Sequence, residues 1–310
     1  MTTQAVGTPS CTLAHQVFLY DSPDEFVGAM TPFIRSGLKR GDAIFAATKR
    51  PNIDALRAQL GDDAQRIKLE DTTGWKTRPY ERLQAFKQMV HELAPGQCLS
   101  AMGEPVWEGS AAVVRQWARY ESIINLALAE APMRFICLYD SASLPDRILD
   151  YAVQTHPQRV EGQGECVPCE SYVTPAEFVA GAPASPPISA MELPLEGSAL
   201  RQALADYARD AGVESSRVDD LVLAANEVAS NAIRHGRPPA RALVWTDGDE
   251  IICQVADTGD GINDPLAGWL PPLEDEIGGW GLPIARQLCD AVELSNDGGA
   301  TVSLHFARGA

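Results

Sequence analysis

Asn226-Glu227-Val228-Ala229-Ser230-Asn231-Ala232 sets a carboxylate and a carboxamide four residues apart. Two glycine-rich stretches follow downstream, Asp257-Thr258-Gly259-Asp260-Gly261 and Gly279-Trp280-Gly281-Leu282. Leu221, Leu223, Ala224, Val228 and Ala232 surround the first stretch near helical spacing, so it reads as an amphipathic helix with those five as its buried stripe. Glu227 and Asn231, at i and i+4, then share another face. Asp257 closes an apolar, strand-like run, and Gly281 stands just before a second helical run.

The chemistry follows from these placements. The amide oxygen of Asn231 is a hard ligand, suited to Mg²⁺ alongside phosphates and waters. Glu227, one turn away, is placed to order a water or accept a hydroxyl proton. Polar pairs at this spacing are common, so the pair alone reads more simply as a solvated helix face. The downstream turns change that balance. An aspartate at a strand end accepts a hydrogen bond from an exocyclic amine such as that of adenine. Glycines let the backbone approach a flat base and phosphates, and a helix N-terminus holds phosphate oxygens. Residues 262–278 contain Pro265, Gly268, Pro271 and Pro272, a loop able to act as a lid.

Around this site, Ser198–Ala211 and Glu214–His235 read as helices. Ala242–Thr246 and Glu250–Ala256 flank Asp247-Gly248-Asp249 as a hairpin. Pro283–Cys289 reads as a helix, and Val292–Ser295 with Thr301–Phe306 as a second hairpin. Ala190–Leu195 reads as an edge strand. Strands and helices grouped in this way give an α+β layer.

This half resembles the GHKL ATPases, the Bergerat-type sandwich of histidine kinases, gyrase and Hsp90. The likeness is strongest to the anti-sigma-factor serine kinase branch. Glu227 to Asn231 matches the N box, followed by His235-Gly236; the two glycine stretches match the two glycine boxes. The resemblance spans about residues 190–308. It implies ATP and Mg²⁺ as cofactors, with Asn231 holding the metal, Glu227 as base and Asp257 reading adenine. It also implies a pocket lined by His235, Gly259, Gly261, Gly279, Gly281 and Leu282. The implied partner is an anti-anti-sigma (STAS-type) protein phosphorylated on Ser or Thr, a sigma factor, or both, and a homodimer stays open. One feature departs from the branch. Residues 262–278 hold no Lys or Arg and include Glu274-Asp275-Glu276, which leaves Arg286 as the nearby cation for the terminal phosphate. Phosphoryl transfer depends on charge neutralisation. The departure therefore opens an alternative, a non-catalytic ATP-gated partner-switching binder. A divergent histidine kinase is a third reading. His91-Glu92-Leu93-Ala94-Pro95 looks superficially like an acceptor box, but Pro95-Gly96 ends the helix there.

The first half is organised differently. Apolar runs at His15–Tyr20, Ala43–Thr48, Arg66–Leu69, Gln97–Met102 and Met133–Tyr139 alternate with five helical runs. Ser22 is an N-cap ahead of Pro23 in the first of these. This alternation means an α/β domain with a mostly parallel sheet covered on both faces. No phosphate-binding glycine motif is present in residues 13–180. The half resembles the MEDS sensory domain through His15-Gln16-Val17-Phe18-Leu19-Tyr20, Ser22-Pro23, Phe26, Pro32-Phe33-Ile34 and Gly37-Leu38. Trp107, Tyr120-Glu121, Cys137-Leu138-Tyr139-Asp140 and His156-Pro157 extend the match. The resemblance implies a RecA-like αβα sandwich that senses an unidentified small ligand. Glu104, Trp107, Trp117 and Tyr120 are expected around a pocket at the strand C-termini. His15 reads as a strand cap and Cys137 as a small core residue, with a metal or small-molecule contact at the two as the alternative.

The chain thus divides into a disordered leader (1–12), a sensory domain (13–180), a linker (181–190) and an ATP-binding domain (191–310). Bulk composition bounds the partners. A formal net charge of −17 on 310 residues argues against direct nucleic-acid or anionic-membrane binding. No apolar run reaches the length of a membrane span, and the N-terminus lacks the pattern of a signal peptide. Seven cysteines without a secretion signal are expected reduced, in a cytoplasmic setting, with Cys166-Val167-Pro168-Cys169 an incidental pair.

Overall fold

The computed structural model describes residues 11–75, 77–162, 164–181, 185–272 and 279–309. The chain forms two compact units. One comprises residues up to 108 together with Trp117–Ala180; the other comprises Gly109–Gln116 with Gly181–Ala310.

In the first unit the elements run β1 (Ala14–Tyr20), α1 (Pro23–Arg40), β2 (Ala43–Thr48), α2 (Arg50–Leu60), β3 (Lys68–Asp71), α3 (Pro79–His91) and β4 (Leu99–Gly103). After these come α4 (Ala111–Ala127), which belongs to this unit from Trp117 onward, β5 (Met133–Asp140), α5 (Asp146–Thr155), β6 (Gln158–Glu161) and β7 (Glu165–Pro168). The Ser22 hydroxyl accepts the Glu25 N–H at the start of α1, as its sequence position requires. Seven strands make one sheet in the order β3-β2-β4-β5-β1-β6-β7. All pairings are parallel except β6 with β7. Central β1 and β5 are buried over most of their length, as strands covered on both faces must be. The β6–β7 hairpin has no counterpart in the sequence reading.

The second unit contains β8 (Met191–Leu193), α6 (Gly197–Asp210), α7 (Ser215–His235), β9 (Arg241–Asp247) and β10 (Glu250–Ala256), followed by α8 (Gly281–Leu288), β11 (Ala291–Ser295) and β12 (Thr301–Ala307). Its sheet runs β11-β12-β10-β9-β8 and is antiparallel throughout. Both expected hairpins form, and β8 takes the expected edge. The core packs Val244, Ile251, Cys253, Val255 and Leu304 against Leu221, Ala224, Val228 and Ala232 of α7. Leu223 departs from the expected stripe and is 47% exposed. It adjoins Ala224 in sequence and so is rotated about 100° from it around the helix axis.

Cys11 and Cys98 are joined as a disulfide. This corrects the expectation that all cysteines are reduced, and it ties down one end of the segment read as a leader. Residues 1–10 of that leader lie outside the described residues, as do residues 182–184 of the linker and 273–278 of the lid. No helix among the described residues is long and apolar enough to cross a membrane.

Candidate nucleotide site

Helix α7 and strand β10 position the site. Packing of the α7 stripe on the sheet leaves Glu227 and Asn231 half-buried at its margin. Strand β10 ends at Ala256, so Asp257 is the first residue beyond the sheet, held there by its N–H to Ala300 O at 2.9 Å. The Gly259 N–H donates to Asp257 Oδ1 at 2.7 Å and fixes the carboxylate. Close packing then explains the glycines. A Cβ on Gly236 would stand 2.5 Å from Asp257 Cγ, and one on Gly299 would stand 1.9 Å from Asp257 O. Gly261 has φ +79° and would meet Asn296 Oδ1 at 2.8 Å. Asn296 in turn clamps the turn from the far side: its Oδ1 accepts the Ile262 N–H at 2.8 Å, and its Nδ2 donates to Ile262 O at 2.9 Å.

These elements line an open pocket of about 170 Å³. Asn231, His235, Asp257, Gly259, Gly261 and Leu282 all line it. Val255, Ile262 and Val302 give it an apolar wall suited to a flat ring. Glu227, Gly279, Gly281 and Arg286 are not part of that lining. Gly281 nonetheless abuts the site: a Cβ there would lie 2.6 Å from Asn231 Nδ2.

Arg286, the cation expected to meet the terminal phosphate, is buried. It is 3% exposed. Its Nε donates to Ala267 O at 3.2 Å, its Nη1 donates to Val292 O at 3.1 Å, and its guanidinium lies 4.3 Å from the centroid of the Trp269 ring. A desolvated cation–π contact of this kind contributes roughly 2 kcal/mol. Arg286 therefore anchors the loop through fully buried Trp269, and its charge is engaged away from the pocket. Among the residues named here, Gly299 and Asn296 escaped the sequence reading. They lie in and beside the turn between β11 and β12, and only the pairing of β10 with β12 brings that turn to Asp257.

Residues 194–306 match the family described as histidine kinase-like ATPase domain. Residues 14–157 match MEDS, the methanogen/methylotroph, DcmR sensory domain. Over 120 residues the chain is 32% identical to serine-protein kinase RsbW of Bacillus licheniformis, covering 34% of this chain and 74% of that protein. The chain belongs to the RsbW family of histidine kinase-like ATPases. Its second unit is thus a kinase-like ATPase domain of that family, and its first unit carries the MEDS domain.

The MEDS unit has a small pocket of its own, about 30 Å³ in volume. Glu104, Trp117 and Tyr120 line it as expected; Trp107 does not, and lies tilted against Tyr139 with ring centroids 5.8 Å apart. Glu104 is held by Tyr20, by the Thr48 hydroxyl at 2.6 Å and by the Lys49 N–H at 2.8 Å. His15 does not cap a strand end. It is the second residue of β1, buried beside Cys137 with Nε2 3.4 Å from Sγ. Burial, with the neighbouring His156 ring, lowers its pKa to about 4, so this imidazole is neutral at pH 7.

Proposed function

We propose that the second unit binds ATP with Mg²⁺ and transfers the γ-phosphoryl group to a Ser or Thr of a partner protein. In this reading Asn231 ligates Mg²⁺ and Glu227 accepts the hydroxyl proton. Asp257 takes the adenine amine on the oxygen not engaged by Gly259. The glycine turns and His235 admit the sugar and phosphates, and the α8 N-terminus faces the phosphate charge. The observation that carries the proposal is the convergence of Asn231, His235, Asp257, Gly259 and Gly261 on one pocket in a chain of this family. By analogy with the family, the partner is a STAS-type anti-anti-sigma protein, a sigma factor, or both. The MEDS unit would regulate the exchange through a small ligand in its own pocket.

A second reading has a specific observation in its favour. Arg286 is engaged with Trp269, Ala267 and Val292, and residues 262–278 contain no other basic group to neutralise the transferring phosphoryl. An ATP-gated binder without transfer would have no need of one. Incubation of the full chain with γ-labelled ATP, Mg²⁺ and a STAS-type protein separates the two. Label on a Ser or Thr of the partner supports the kinase. ATP binding with no label on the partner leaves the binder as the function.

A further inference from the structure

The MEDS unit holds four chemically reactive side chains that its fold brings together from distant parts of the chain. His15 comes from β1, Glu121 from α4, Cys137 from β5 and His156 from the residue after α5. All four are buried, and no two of their ligand atoms are farther apart than 4.8 Å. We propose that His15, Glu121, Cys137 and His156 form a buried four-coordinate site for a divalent transition-metal ion of the zinc class.

Hydrogen bonding around the imidazoles sets the direction of their lone pairs. Asn125 Nδ2 donates to Ser122 O at 3.0 Å and to Thr155 O at 2.8 Å, so its Oδ1 is the acceptor that faces His15 Nδ1 at 3.1 Å. That places the ring proton on Nδ1 and leaves Nε2 with a bare lone pair. His156 is arranged in the same way: its Nδ1 lies 2.7 Å from Ala152 O, which can only accept. Outer partners of this kind orient histidine ligands in metal sites. Both Nε2 atoms lie near Glu121 Oε2, at 3.5 Å from His15 and 3.3 Å from His156, and that of His15 also stands 3.4 Å from Cys137 Sγ.

Three acceptors thus converge where one thiol proton is on hand. Glu121 Oε2 and His156 Nε2 are buried 3.3 Å apart and, with the ring proton on Nδ1, have no hydrogen bond between them, an arrangement that costs about 1–3 kcal/mol per group. A cation relieves it. The edges of a tetrahedron built on Zn–N and Zn–S bonds are about 3.3–3.6 Å. The separations of 3.3, 3.4 and 3.5 Å fall on that scale. Charge also balances. Metal binding forms an M–S bond as the Cys137 S–H bond breaks and its proton leaves to solvent. A dication with one thiolate and one carboxylate is neutral, which suits a site removed from water. Two imidazoles, a thiolate and a carboxylate oxygen favour zinc over magnesium or calcium. Glu121 also lines the apolar pocket of this unit.

The test uses the full chain, purified without a metal-affinity step, stripped with chelator and reconstituted. One zinc per chain is expected by elemental analysis. Cobalt in its place is expected to give tetrahedral visible absorption with a thiolate charge-transfer band. Cys137→Ser removes that band, and His156→Gln lowers affinity at least tenfold. Asn125→Leu, which alters only an outer partner, lowers affinity about tenfold to a hundredfold. Cys166→Ser leaves binding unchanged. Circular dichroism of each variant reports whether it folds, and zinc raises the melting temperature of the parent and of Cys166→Ser more than that of Cys137→Ser, His156→Gln or Asn125→Leu. A folded parent chain that takes up no stoichiometric zinc and shows no cobalt spectrum overturns the proposal. So does an unchanged spectrum in folded Cys137→Ser and His156→Gln.

Discussion

Gly281 approaches Asn231 so closely that a Cβ would stand 2.6 Å from its Nδ2. The second glycine box therefore shapes the rotamer of the proposed metal ligand, although Gly281 itself does not line the pocket. Gly281→Ala is expected to displace the Asn231 amide and weaken Mg-ATP binding about tenfold or more, or 1.4 kcal/mol. A fluorescent ATP analogue titrated with and without Mg²⁺ reads this directly. Unchanged binding would mean that the helix absorbs the methyl group and that the contact has no functional weight.

Glu227 is half-buried, one helical turn from Asn231, and is not part of the pocket wall. A base in that position affects transfer more than binding. Glu227→Gln is expected to cut phosphoryl transfer to the partner by about 10²–10⁴-fold, with ATP affinity within a few-fold of the parent. An equal loss of both would assign Glu227 to positioning the nucleotide.

His305 on β12 is buried between two carboxylates, with Nε2 3.1 Å from Glu293 Oε2 and Nδ1 3.5 Å from Glu250 Oε2. Burial alone would lower its pKa, but the two carboxylates outweigh that effect and raise it. A raised folded-state value contributes stability that is complete below the unfolded value of about 6.5. That stability is lost as pH rises through the folded value. The melting temperature of the chain should therefore fall between neutral and alkaline pH. In His305→Gln that part of the decline should be absent. Parallel melting curves at pH 6.5 and above check both expectations.

The pocket of the second unit was legible because its residues sit at fixed spacings within continuous motifs. Asn231 and Glu227 follow from helical periodicity, and Asp257 from the end of a strand. Legibility fails where tertiary register decides. Gly299 reaches Asp257 only through the pairing of β10 with β12. Arg286 stood near the phosphates by sequence position, yet its side chain turns back under the loop to Trp269. The β6–β7 hairpin carries Gln158-Arg159-Val160-Glu161, which is too polar to show a strand period. His15, Glu121, Cys137 and His156 were separately visible as residues of a family resemblance. Nothing in their spacing predicts that parallel pairing of β1 with β5 stands Val17 across from Cys137 and so brings the His15 face to the thiol.

Calorimetric titration of the full chain with ATP and with GTP, each in the presence and absence of Mg²⁺, tests the nucleotide site most directly. The account predicts one site per chain that prefers ATP and is strengthened by Mg²⁺. Asn231→Ala should lose the Mg²⁺ increment. Asp257→Asn should lose about 1.5–3 kcal/mol of ATP binding, the range for a hydrogen bond to a charged group, and with it the preference over GTP. Identical ATP and GTP isotherms in the parent and in both variants would contradict it.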